Sequence, residues 1–137
     1  MAIRKIPADT KHFHFHNENP NNSRAADCVF RAIATATGKT WEEVFKGLCE
    51  VALEKKLAPN EDACYEEYLK RLGWVKQKQP RHSDNTKFTG VEFAEAHHET
   101  AICKIGCHHI SCCKEGKFWD TWDCTDRTIG NYWRKKD

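Results

Sequence analysis

No apolar run in the 137-residue chain approaches the roughly twenty residues that cross a bilayer. A membrane partner is therefore not expected. The opening residues, "MAIRKIPADTKHF", lack the apolar core of a secretory signal, so the expected compartment is the cytoplasm. Excess charge is scarce as well: 22 Lys and Arg against 20 Asp and Glu leave a net +2. That is too little to call for nucleic acid by itself. Internal repeats and low-complexity segments are also missing.

What is present is enough for one core. The chain is 39% hydrophobic, with seven Phe, five Trp and three Tyr. A mean hydropathy of −0.79 places it in water. We read residues 1–137 as a single domain, with 1–12 and 134–137 as loose ends. The eight cysteines would suggest a disulfide framework in a secreted chain, but not in a reducing cytosol. Cys112 and Cys113 are adjacent and point to opposite faces of a strand, which suits bridging poorly. The cysteines are read as thiols.

The order of elements follows from periodicity. "KHFHFHN" alternates aromatic and histidine residues, giving a short strand with Phe13 and Phe15 on one face and His12, His14 and His16 on the other. A helix runs from Asp27 to about Thr37 and stops at Gly38. Thr40 with Glu43 forms a capping box for a second helix ending near Lys55. A third helix is capped at Asn60 and closed by Gly73; Thr89 with Glu92 caps a short fourth. The basic stretch from Lys70 to Lys87 reads as a solvated helix end and loop. Thereafter "TAICKIG", "HHISCCK", "GKFWDTWD" and "RTIGNYW" read as short strands, with Glu115-Gly116 as a tight turn. Helices first and a small antiparallel sheet last make an α+β fold.

Within the first helix, the core stripe is expected at Val29, Phe30, Ile33, Ala36 and Thr37. Cys28 lies off it, sharing a face with Arg31, Ala32 and Thr35. A thiol in the first turn faces the partial positive charge of free amides, which favours thiolate. Asp27 is placed as N-cap, with its carboxylate turned onto those amides. A reactive thiol needs an imidazole oriented by a third group. If Glu115-Gly116 is a two-residue turn, His109 lies opposite Trp122, with Asp120 one diagonal step away on the same face. Asp123 then pairs with His108 on the other face, and a bulge would exchange the two aspartates.

At this point the chain resembles a known group. "NPNNSRAADCVFRAIATATGKTWEEV", "YLKRLGWVKQKQPR", "KEGKFWDTWDC" and "GNYW" are similar to small bacterial and phage members of the papain-like cysteine peptidase superfamily. The resemblance spans roughly residues 13 to 133 and implies a papain-like core, with helices packed on the sheet. It further implies Cys28 as nucleophile, His109 as base, Asp120 as orienting acid with Asp123 as the alternative, and Asn22 at the oxyanion. The family usually has glutamine at that last position, with Asn19 and Asn21 as nearby substitutes here. The implied activity is hydrolysis of a peptide, isopeptide or similar amide, with no metal or other cofactor, on a peptide or protein substrate. An inactive papain-like module that binds a protein partner is the alternative.

Other groupings compete with this site. Cys103, Cys107, His108, His109, Cys112 and Cys113 lie within eleven positions and invite a zinc-stapled nucleic-acid binder. The three-residue gap between Cys103 and Cys107, and their place on a strand, argue against it. Trp119, Trp122 and Trp133 are read as core or groove lining. Cys49 and Cys64 are read as structural, and Cys124 follows the aspartates closely enough to flank a site.

Overall fold

A computed structural model describes residues 5–136. Ten elements follow one another: β1 (Phe13–Phe15), α1 (Cys28–Thr37), α2 (Trp41–Lys55), α3 (Asp62–Arg71), β2 (Trp74–Gln77), α4 (Gly90–Ala96), β3 (Ala101–Ile105), β4 (His109–Lys114), β5 (Lys117–Asp120) and β6 (Ile129–Lys135). The fold is α+β. Its six strands form one sheet in the order β1-β5-β4-β3-β6-β2. No helix among the described residues is long and apolar enough to cross a membrane.

Local sequence accounts for most of these boundaries. Gly38 ends α1 in the left-handed region at φ 77, where a side chain would be strained. Both capping boxes form: Thr40 accepts from the Glu43 amide, and Thr89 from the Glu92 amide. Asn60 does not cap α3; Glu61 holds that position without a side-chain hydrogen bond. Glu115 and Gly116 take φ 55 and φ 75, the paired positive values of a two-residue turn that matches strand twist. The β4–β5 register follows, with Lys114 opposite Lys117 and Cys112 opposite Trp119.

Two strands depart from the expected order. β2 pairs antiparallel with β6 at one sheet edge, where the sequence reading placed a helix end and loop. Its Trp74 is buried, while Val75 and Lys76 face outward. β1 lies at the other edge and runs parallel to β5, with Phe13 opposite Phe118 and Phe15 opposite Asp120. The sheet is thus antiparallel except for that pair, and it draws strands from both halves of the chain. The expected loose end is also corrected in part: residues 134 and 135 belong to β6 and pair with Val75 and Trp74. Residues 1–4 and 137 of the expected ends lie outside the described residues.

Each face of the sheet carries its own core. Helices α1, α2 and α3 cover Ile102, Ile110 and Trp133 on one face. On the other, Phe93 and Ala94 of α4 pack with Ala101, Cys103, Ile105, Cys113, Phe118, Cys124 and Ile129. Helix α1 is the central element, and it is buried nearly all round. Val29 through Thr35 are all buried, while Ala36 and Thr37 of the expected stripe are only partly so. The face that looked polar, with Arg31 and Thr35, is therefore not a solvent face. It turns toward the end of the sheet where β4 begins and β5 ends.

Candidate active site

The hairpin register places His109 and Asp120 on one face at that end of the sheet. Their side chains meet: His109 Nε2 lies 2.6 Å from Asp120 Oδ2. The His109 ring also packs against Trp122, with centroids 4.8 Å apart, as the same register requires. Because Nε2 is engaged by the carboxylate, Nδ1 is the nitrogen left for a second partner. Cys28, first residue of α1, lines the same small cavity as His109, and the imidazole helps to lower its thiol pKa. Cys28, His109 and Asp120 are therefore brought together from a helix tip and one hairpin.

His109 pairs with Asp120 and not with Asp123. Asp123 Oδ1 accepts from the Thr125 amide at 3.0 Å and the Thr125 hydroxyl at 2.6 Å, closing a local turn. Asn22 is exposed, with φ 56, and does not line the cavity beside Cys28. Asn19 is buried but occupied. It donates to Asp27 Oδ2 at 3.0 Å and accepts from the Asn21 amide at 2.9 Å. Neither asparagine is placed to hold an oxyanion.

Asp27 also departs from expectation. Its carboxylate caps no helix amide. It is buried and accepts from Arg31 Nε at 2.7 Å, Asn19 Nδ2 at 3.0 Å and Trp41 Nε1 at 3.0 Å. The first-turn amides of α1, beside the Cys28 sulfur, are left without that side chain. A developing negative charge near Cys28 would find them free of it.

Arg31 is the residue that sequence reasoning missed. Its guanidinium bridges Asp27 Oδ1 and Asp120 Oδ1, at 2.7 and 3.0 Å, with its side chain only 10% exposed. The signal was a single arginine inside the apolar run "CVFRAIATA", with an aspartate four residues earlier. Asp120 is saturated as a result. Oδ1 accepts from Arg31 and the Thr121 amide, and Oδ2 from His109.

The electrostatics follow from these contacts. Burial pushes the Cys28 thiol up, but His109, the Ile110 amide and the charge of Arg31 outweigh it and bring the thiol below its usual range. Burial opposes a charge on His109, yet hydrogen bonds to Asp120, Cys124 and Cys28 push its pKa up to about 11. Asp120 is raised by burial and lowered more by His109 and Arg31, so it stays ionised. The combination favours a thiolate beside an imidazolium. Burial drives Cys64, Cys103, Cys112, Cys113 and Cys124 the other way.

Cys124 does flank the site, with Sγ 3.8 Å from Asp120 Oδ2. His109, Asp120 and Cys124 are, among the described residues, the one group whose donor atoms converge closely enough to hold a metal. The Arg31 cation already on Asp120 disfavours a second cation there. Of the earlier zinc candidates, Cys103, Cys112 and Cys113 are buried sheet residues, whereas Cys107 and His108 are exposed in the β3–β4 turn.

No protein-family model, no curated protein and no solved structure matches this chain. The site's chemistry rests on its own geometry.

Proposed function

We propose that the protein is a cysteine-dependent hydrolase of peptide, isopeptide or related amide bonds, with a papain-like arrangement of Cys28, His109 and Asp120. The observation that carries this reading is His109 bonded to Asp120 and sharing one cavity with Cys28, with the thiol drawn down and the imidazole drawn up. Asp120 fixes the Nε2–H tautomer and stabilises the imidazolium. The Cys28 thiolate attacks the substrate carbonyl carbon, forming a C–S bond while the carbonyl electrons move to oxygen. The Cys28 backbone N–H at the uncapped helix tip stabilises that oxyanion. His109 Nδ1 gives its proton to the leaving amine as the C–N bond breaks. Water, deprotonated by His109, then cleaves the thioester, releasing the carboxylic acid and restoring the thiolate–imidazolium pair.

The test is a thiol-directed electrophilic probe with mass-spectrometric site mapping. Labelling concentrated at Cys28 near neutral pH, and suppressed in His109→Ala, is the expected result. Equal labelling of Cys28 in both proteins would overturn the proposal. Amide hydrolysis by the wild type, absent from Cys28→Ala, separates this reading from an inactive binding module with the same fold.

A further inference from the structure

A small cavity of ≈ 260 Å³ opens directly beside Cys28 and His109. Its wall comprises Arg24, Ala25, Ala26, Arg31, Thr121 and Trp122 in addition to those two. Every residue of fixed charge in that lining is a cation, and no carboxylate faces in. Asp27 and Asp120, which neutralise Arg31, are buried at 4% and 1% exposure and do not line the space.

The two arginines are held differently. Arg31 is buried, with Nε and one Nη committed to its aspartates, yet it still lines the cavity. Arg24 stands over the Phe15 ring, its guanidinium carbon 5.2 Å from the centroid. Among the described residues it forms no ion pair. Phe15 is fixed in turn by pairing with Asp120 across β1 and β5. A guanidinium so anchored gives up little freedom when it binds an anion.

Size narrows the ligand further. The space falls below the range of about 300–1,000 Å³ typical of small-molecule sites, so it admits a short substituent rather than a whole ligand. Ala25 and Ala26 leave the room, and Trp122, 36% exposed, closes one side. A small lining with two arginines and no carboxylate, beside the Cys28 thiol, best matches a planar carboxylate.

We propose that this cavity is a carboxylate subsite, so that the preferred substrates are amides with a carboxylate next to the scissile bond. This rests on Cys28 being the nucleophile. The carboxylate belongs either to an acidic side chain or to the free C-terminus of a peptide, and both present the same group.

The test compares alkylation of Cys28 by iodoacetate and iodoacetamide, reagents that differ in carrying or lacking a carboxylate. In each, the thiolate displaces iodide and forms a C–S bond. The ratio of the two rate constants should fall about tenfold in Arg24→Glu, the size of one charge-assisted hydrogen bond. Protection of Cys28 by N-acetylglutamate α-amide would assign an acidic side chain; protection by N-acetylglycine would assign a chain terminus. An unchanged reagent ratio in Arg24→Glu, with Cys28 still reactive, overturns the subsite alone. Failure of both reagents to modify Cys28 in the wild type overturns the nucleophile and the subsite with it.

Discussion

Two arginines in this protein each hold a pair of carboxylates, and the two clusters are built almost alike. Arg31 takes Asp27 one helical turn back at 2.7 Å and the distant Asp120 at 3.0 Å. Arg71 takes Glu67 one turn back at 2.8 Å and the distant Glu54 at 3.0 Å. They differ in surroundings. Arg31 and its partners lie at the cavity beside Cys28 and His109, whereas the Arg71 side chain is 41% exposed at the far end of α3. Arg71 even grips Glu54 through two nitrogens where Arg31 reaches Asp120 through one, so the consequence follows the surroundings and not the number of bonds. In water the Arg71 cluster is screened and replaceable. In the interior, removal of Arg31 would leave Asp27 with no counter-charge and Asp120 with His109 alone.

The largest effect should come from breaking the buried cluster. Arg31→Met is expected to destabilise the fold by about 3–5 kcal/mol, read from urea denaturation. Adding Asp27→Asn to that variant should recover part of the loss, because one orphaned charge is removed.

Asp120→Asn probes the same cluster without removing its cation. The His109 proton loses its stabilising carboxylate, so the Cys28 thiol should titrate higher. Its alkylation rate near pH 6 should fall by about tenfold for each unit of that rise. An unchanged pH profile would remove Asp120 from the mechanism.

Stability should also follow pH through His109. In the unfolded chain the imidazole titrates near its ordinary value of 6.5; in the fold it titrates near 11. Below 6.5 both states hold the proton, and its stabilising contribution is complete. Above 6.5 the unfolded chain loses the proton first, so the contribution declines until the folded pKa is reached. Asp120 works at the acid end. Its lowered pKa gives stability that is present above 3.8 and lost as the pH falls through its folded value. The denaturation midpoint of the wild type should therefore fall between pH 6.5 and 11, more steeply than that of His109→Gln.

The smallest effect belongs to the exposed cluster. Arg71→Ala should leave the urea midpoint within experimental scatter, and 1 M salt should erase any residual difference. A large loss there would show that exposure does not divide the two clusters.

The contrast between these arginines also marks what the sequence could say. Short-range devices were legible: the stop at Gly38, both capping boxes, and the Glu115-Gly116 turn that sets His109 against Trp122. Each depends on residues within a few positions, so the α+β class could be read directly, and the hairpin register put Asp120 beside His109 with Asp123 as the alternative. Long-range choices were not. β1 and β5 pair in parallel across most of the chain, and Arg31 reaches an aspartate 89 positions away. Asp27 was read as a helix cap because aspartate usually is one there. A buried arginine and a tryptophan N–H competed for the same carboxylate and won. Asn22 stood at the right distance from Cys28 along the chain, but its left-handed backbone leaves it at the surface. β2 was hidden because "WVKQ" is short and only Trp74 is buried.

The hairpin that joins β4 to β5 has one further consequence, for the life of the chain as it is made. It supplies both the imidazole and its orienting carboxylate, whereas the thiol lies far upstream in α1. A ribosome releases Cys28 long before it releases His109 and Asp120. During that interval the sulfur has no imidazole beside it and behaves as an ordinary thiol, mostly protonated at neutral pH. The contacts that lower the Cys28 thiol thus form only when the β4–β5 hairpin docks.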